Sequence, residues 1–356
     1  MGRAKRFSKR NRRLLLVFAE AILPGGEGAP GADERLVVQI EAYLSRKGME
    51  PLMPIIGAGL TALDATALAF YGRRFSKLSR QQQQVHIARL SRTRATQIPL
   101  LLVSTLLKLI HFDQSQVIEA LGGTRKKVLP EAPPSWKQNV ISASSWDPKE
   151  IIECDVVVVG TGAGGGVVGA ELAERGHAVL FVEEGRHHGR ESFDGRSIDA
   201  HFKFYRVALT LGNPPLPVMM GRMLGGSTAI NGGSCYRTPS PVLDEWCEDL
   251  GTDALGEERM RPFFERVEGT LSVAPAARGT VGPIADVLAR GCDALGYEHF
   301  AMRRNAPGCD GSGFCDFGCR TGARTSTDVS YMPLAIEHGA AVITRLRATR
   351  IIIEGG

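Results

Sequence analysis

No apolar run in this 356-residue chain is expected to span a membrane. The most apolar stretch, from Ile98 to Phe112, is shorter than the roughly 20 residues a spanning helix needs and carries Lys108. Cysteine is sparse, with seven residues at an odd count and irregular spacing, which excludes the paired framework of a small secreted domain. Repeats and low-complexity tracts are absent, which excludes solenoids and other repeat arrays. Charge of one sign is not in large excess: the net charge is +5, much of it in the first thirteen residues. Arg3, Lys5, Arg6, Lys9, Arg10, Arg12 and Arg13 crowd there without interleaved aromatic residues, so nucleic acid is not an expected partner and a solvated terminus is. The following run Leu14–Phe18 is too short for a secretory signal and is interrupted by Glu20. A buried first helix and a reducing, cytoplasmic setting are expected.

Glycine is what the chain has in quantity: 42 residues, many of them between Gly160 and Gly233. The first 122 residues carry few groups arranged for chemistry. Leu36, Ile40, Tyr43 and Leu44 share one helix face after the Pro24–Gly31 break, and Ser79 with Gln82 predicts a capping box. His86 and His111 are expected to be ordinary structural or surface histidines. Residues 123–150, with Pro130, Pro133, Pro134 and the polar run Ser142–Pro148, predict a linker. Near residue 150 the pattern changes to strand, glycine turn, helix, strand.

Cys154–Val159 is apolar and β-branched, as a fully buried parallel strand would be. It enters Gly160-Thr161-Gly162-Ala163-Gly164-Gly165, a G-x-G-x-x-G turn. Gly160 permits the turn, Gly162 admits a pyrophosphate, and Gly165, Gly169 and Ala173 give the next helix a face of small residues. The amino terminus of that helix offers unpaired N–H groups and the positive dipole end to phosphates, Ala163 and Gly164 included. Gly176 ends the helix, and the second strand closes at Glu183, a carboxylate placed to accept ribose hydroxyls. This constellation predicts a dinucleotide site without separating FAD from NAD.

A second glycine cluster, Gly221–Gly232, separates them. Its paired Gly225 and Gly226, followed by Ser227 and Thr228, let a bulky cofactor press against main chain. Residues 150–356 resemble the glucose–methanol–choline (GMC) oxidoreductases, a family of FAD-dependent enzymes whose flavin loop is similar to this one. The resemblance implies that Gly225, Gly226, Ser227 and Asn231 line the flavin and that Glu183 holds the ribose. It departs from the family's usual spelling at Cys235 and Tyr236. The helical start, and the segments Arg304–Cys309 and Gly318–Ala323, are similar to the long-chain fatty alcohol oxidase branch.

The implied fold is α/β: a Rossmann-like FAD-binding domain over 151–356, incomplete and with the start of a substrate domain, after an all-helical region over 1–122. The implied reaction is oxidation of an alcohol to an aldehyde or ketone, with hydride passing to the flavin and electrons then to oxygen or another acceptor. The family's catalytic histidine lies beyond its flavin loops, and neither His187, His188 nor His338 fits that role. No catalytic residue is therefore named: it is expected beyond Gly356, and this polypeptide alone is expected to lack turnover. His187 and His188 are expected on the adenosine side or the surface, and His338 at a helix end. Ala348–Glu354 predicts a strand.

Cys309, Cys315 and Cys319 sit close together in a glycine-rich loop. The preferred reading is a loop that binds nothing; the alternative is an iron–sulfur relay, as in some flavin dehydrogenases that resemble the family. Absence of a fourth nearby ligand argues against a closed zinc site. Cys154, Cys247 and Cys292 are expected to be plain buried thiols. The other readings are a catalytically silent FAD-binding protein and an NAD-dependent dehydrogenase, which leaves the second glycine cluster unexplained. A small-molecule alcohol is the expected partner, with peripheral membrane contact through the amino-terminal helices as a further option.

Overall fold

The computed structural model describes residues 6–26, 28–46, 49–92, 94–123, 134–147, 151–211 and 216–353. The chain divides into two compact units, Met1–Arg125 and Lys126–Gly356.

The first unit is helical among its described residues. Helices α1 Lys9–Ile22, α2 Glu34–Leu44, α3 Leu52–Thr66, α4 Leu68–Tyr71, α5 Arg80–Leu90, α6 Arg94–His111 and α7 Ser115–Ala120 follow one another. Their starts are written locally. The Ser8 hydroxyl accepts from Asn11 N, Asp33 accepts from Arg35 N and Leu36 N, and Ser79 with Gln82 forms both halves of a capping box. Leu15, Phe18, Leu36, Ile40 and Leu60 are fully buried, and the Phe18 and Phe75 rings stack with centroids 4.2 Å apart. His86 is fully buried, beside Phe70, Tyr71 and Phe75, with Nε2 at 2.9 Å from the Thr66 hydroxyl. It is a core histidine, as is the buried His111. Against the expectation of no such stretch, Leu52–Tyr71 is apolar and long enough to cross a membrane by length and composition; Leu60 and Leu63 are buried in this bundle, whereas Ile55, Leu68 and Phe70 are exposed.

The second unit is built on a four-stranded parallel sheet of order β1-β8-β3-β2, formed by β1 Val140–Ser142, β2 Val156–Val159, β3 Val179–Glu183 and β8 Ala341–Thr344. Helix α8 Ala163–Glu174 connects β2 to β3 and packs against α13 Tyr331–Glu337. Phe181, Met332, Ala335 and Val342 fill the space between the helices and the sheet. Between β3 and β8 lie α9 Ser197–Lys203, the hairpin β4 Tyr205–Leu209 with β5 Pro217–Gly221, α10 Ser240–Leu250, α11 Glu257–Thr270, α12 Pro283–Leu295, and the short pair β6 Ala274–Pro275 with β7 Arg303–Arg304.

Several expectations are corrected here. Part of the segment expected to be a linker is sheet: Val140, Ile141 and Ser142 pair with Val342, Ile343 and Thr344. Turn-like composition cannot reveal a three-residue strand whose partner lies two hundred residues away. Pro130 and Pro133 lie outside the described residues. Strand β2 is not buried on both faces: it forms the edge of this sheet, and only Val158 is buried while Val157 and Val159 are exposed. Residues 348–353 form no strand, because no neighbouring strand pairs with them, and Ile351, Ile352 and Ile353 are exposed. Cys154, Cys247 and Cys292 are only half-buried.

Candidate functional site

The end of β2 and the start of α8 make the first wall of the site. Gly160 turns the chain at φ +93°, a left-handed conformation that costs glycine little. A side chain on Gly165 would place its β-carbon 2.1 Å from the Gly160 carbonyl oxygen, and one on Gly169 would meet the Phe181 ring at the same distance. The first contact seats α8 on the end of β2 and the second on β3. The first N–H groups of α8 have no acceptor within their own helix, and Ala163 and Gly164 are exposed, with open space in front of Gly164.

Glu183 is buried behind this turn. One carboxylate oxygen accepts from Thr161 N at 3.1 Å and the Thr161 hydroxyl at 2.9 Å; the other accepts from Gly185 N at 2.8 Å. The acid that the sequence marks as a ribose ligand thus also braces the turn. Three bonds leave lone-pair capacity on the Gly185-facing oxygen.

The second glycine loop closes on the first. Gly225 and Gly226 adopt φ +89° and +52°, and Gly226 backs onto Gly162 so closely that a β-carbon on Gly226 would sit 3.0 Å from the Gly162 α-carbon. Both Gly225 and Gly226 are buried, so it is their backbone that shapes the wall. Ser227 and Asn231 are exposed. The Ser227 hydroxyl accepts from Gly221 N at 2.9 Å, and Asn231 Oδ1 accepts from Gly233 N at 2.8 Å and from Arg324 at 3.1 Å.

A hydroxyl cluster absent from the sequence reading ties the loops together. Gly225 N donates to Thr161 Oγ1 at 3.0 Å. Thr327, just ahead of α13, donates through Oγ1 to the Thr161 carbonyl at 2.8 Å, and Thr327 N donates to Thr228 Oγ1 at 3.1 Å. The sequence signal was available in the polar run Arg324–Asp328 set before the apolar Tyr331-Met332. Thr161, 166 residues from Thr327, gave no local hint of the pairing.

Beside this junction is a cavity of about 430 Å³, whose walls include Trp136, Lys137, His187, His188, Arg190, Phe193, Arg324 and Asp328. The two histidines are therefore half-buried cavity walls rather than surface residues. Burial, with Lys137 beside His187 and Arg186 beside His188, pushes both imidazoles down to about 4. Burial pushes the Asp328 carboxyl up to about 6, against the opposing bond from Ser326. His338 follows α13 as its carboxy-terminal cap, as its sequence context predicts.

The cysteine loop is divided. Arg304 reaches the Cys315 sulfur at 3.1 Å and the Cys309 sulfur at 3.9 Å, whereas Cys319 accepts from Arg324 N at 3.4 Å. Among the described residues, no three histidine, cysteine or acidic side chains gather as a metal site would require, so the geometry gives the iron–sulfur alternative no support.

Comparison with known sequences assigns the second unit. The profile for GMC oxidoreductase matches residues 154–356. The chain belongs to the GMC oxidoreductases. FAD is accordingly the cofactor, and the residues fit it: an exposed helix amino terminus free of β-carbons at Gly164, with a second glycine backbone closing from behind. The profile for gluconate 2-dehydrogenase subunit 3 matches residues 9–128, an assignment the sequence reading had not made. A long-chain-alcohol oxidase of Arabidopsis thaliana is 33% identical over 205 residues, 57% of this chain and 27% of its own length. An uncharacterised GMC-type oxidoreductase of Mycobacterium tuberculosis is 30% identical over 349 residues, 96% of this chain and 54% of its own. The chain thus spans about half or less of these relatives. Pyridoxine 4-oxidase from Mesorbium loti overlaps 57% of the chain and 44% of its own at 18% identity and a TM-score of 0.46.

Proposed function

We propose that this GMC chain carries the FAD-binding part of an oxidoreductase acting on CH–OH groups, taking an alcohol to an aldehyde or ketone. The observation that carries the proposal is the closure of two glycine loops, Gly162 against Gly226, around the exposed start of α8. When bound, FAD supplies the hydride acceptor. The chain's own residues supply the rest of the binding. The N–H groups at the start of α8 hold the pyrophosphate charge, and the free lone pair of Glu183 takes a ribose hydroxyl. Ser227, whose oxygen already accepts from Gly221 N, keeps its proton to donate toward the cofactor. Asn231, oriented by Arg324, retains its amide donors. The similarity to a long-chain-alcohol oxidase supports an alcohol as donor.

A second reading, a dehydrogenase delivering electrons to an acceptor other than oxygen, is favoured by the helical unit's match to a dehydrogenase subunit. In that reading the helical region is a subunit joined to the flavin unit in one chain. The test is an absorption spectrum of the purified chain with iron analysis, followed by anaerobic addition of primary alcohols of increasing length, which are expected to leave the flavin of this chain oxidised, and then by chemical reduction and admission of air. A yellow flavin spectrum and saturable FAD binding are expected. A chain that binds NAD and not FAD would refute the proposal, and stoichiometric iron would replace it with an iron–sulfur dehydrogenase. Fast reoxidation of reduced flavin by air selects the oxidase; slow reoxidation selects the dehydrogenase.

A further inference from the structure

One guanidinium gathers two thiols and a carbonyl of the second glycine loop. Arg304 lies on β7, its backbone paired with Ala274 on one side and bridged to Ser234 on the other. One terminal nitrogen donates to the Gly232 carbonyl at 2.8 Å and to the Cys315 sulfur at 3.1 Å. The other reaches the Cys309 sulfur at 3.9 Å, which also accepts from Gly311 N at 3.4 Å. Gly232 directly follows Asn231, so one side chain links the sulfurs to that loop. Cys319 is held elsewhere, accepting from Arg324 N at 3.4 Å and lying 3.5 Å from the Thr321 hydroxyl. The three cysteines are therefore a pair and a single.

The pair is placed for thiol chemistry. A guanidinium only donates, so both sulfurs face it as acceptors. A thiolate formed at either one, the species that attacks a peroxide, is met by that cation. Cys309 and Cys315 are half-buried, and residues 310–313 between them are exposed, which gives a small oxidant access. A sulfur–sulfur bond needs the two α-carbons at about 5.5–6 Å. The intervening chain is suited to that turn, since Gly311 and Gly313 already stand at φ +75° and +76°. Both thiols are free in this structure.

We propose that Cys309 and Cys315 form a site of reversible oxidation by hydrogen peroxide, and that the bridge loosens the hold of Arg304 on Gly232. One thiolate attacks a peroxide oxygen, the O–O bond breaks, and a sulfenic acid and water result. The second thiol attacks that sulfur, forming the S–S bond and releasing a second water. The pair gives up two electrons and two protons, which peroxide takes to become two waters. Bridging draws the sulfurs toward each other, and the guanidinium keeps one of its three acceptors. The site stands apart from the flavin reading and is tested without cofactor or turnover.

The test is exposure of the full reduced chain to equimolar hydrogen peroxide, then alkylation, digestion and mass spectrometry. Cleavage ahead of Asp310 and Asp316 puts the three cysteines on separate peptides, so a bridge is read as two joined peptides. A Cys309–Cys315 bridge is expected at least tenfold above any other cysteine pair, and dithiothreitol is expected to remove it. Cys319→Ser is expected to bridge as the parent does, and Arg304→Gln to react at least threefold more slowly. Amide exchange over residues 228–235 is expected to quicken at least threefold in the bridged chain, and to stay unchanged in peroxide-treated Cys315→Ser. A Cys315–Cys319 bridge, or oxidation to sulfinic acid without a bridge, would overturn the pairing. An undiminished rate in Arg304→Gln would overturn the part given to the guanidinium. Unchanged amide exchange in the bridged chain would overturn the link to the glycine loop.

Discussion

Gly162 and Gly226, 64 positions apart, meet backbone to backbone: a β-carbon on Gly226 would lie 3.0 Å from the Gly162 α-carbon. Gly226 is also held at φ +52°. Gly226→Ala therefore incurs both left-handed strain and a contact that no rotamer relieves. The expected outcome is a loss of about 1–3 kcal/mol of stability and at least tenfold weaker FAD binding. Urea unfolding and quenching of flavin fluorescence measure the two; unchanged FAD affinity would remove this contact from the cofactor wall.

Gly169 tests how α8 is seated. Its β-carbon would approach the Phe181 ring to 2.1 Å. Gly169→Ala is expected to destabilise by roughly 1–3 kcal/mol, by overpacking the core. Phe181→Leu in the same chain should recover part of that loss, because the two substitutions share one space. Additive losses in the double-mutant cycle would place the clash elsewhere.

Thr161 serves as donor to Glu183 and acceptor from Gly225 N through one hydroxyl. Thr161→Val keeps the shape and removes both bonds, leaving the Gly225 N–H buried without that partner. A loss of about 1–3 kcal/mol is expected, while Thr161→Ser should stay near the parent. Comparing their urea midpoints decides the matter, since a packing role alone would make Val the milder change.

The cavity groups set opposing pH dependences. For Asp328 the folded state raises the carboxyl to about 6 from an ordinary value near 3.8, so the native chain binds the proton more tightly. Its contribution is greatest below pH 4 and is lost as pH rises through 6. His187 and His188 work the other way: lowered to about 4 from 6.5, they lose stability as pH falls from 6.5 toward 4. Asp328→Asn, which stays neutral and retains an oxygen for Ser326, is expected to match the parent near pH 4 and to exceed it at pH 7 by up to about 3 kcal/mol. Thermal or urea unfolding at pH 4, 5.5 and 7 follows this gap; a gap that closes with rising pH would reverse the assignment.

The glycine spacing at 160–165, the apolar β3 and the terminal Glu183 are local patterns, because each follows from the chain's own turn, helix and strand preferences. So are the caps at Ser8, Asp33 and Ser79, which satisfy N–H groups within three residues. These determined the dinucleotide fold and the helical first unit. The tertiary structure decided what depends on distant partners. It made β1 a strand through β8, set β2 at the edge of the sheet, and left residues 348–353 without a strand. It joined Thr161 to Thr327, gave Glu183 its brace, and set Cys309, Cys315 and Gly232 around Arg304. Such relations are set by which surfaces meet in three dimensions, and short-range residue preferences carry no information about that meeting.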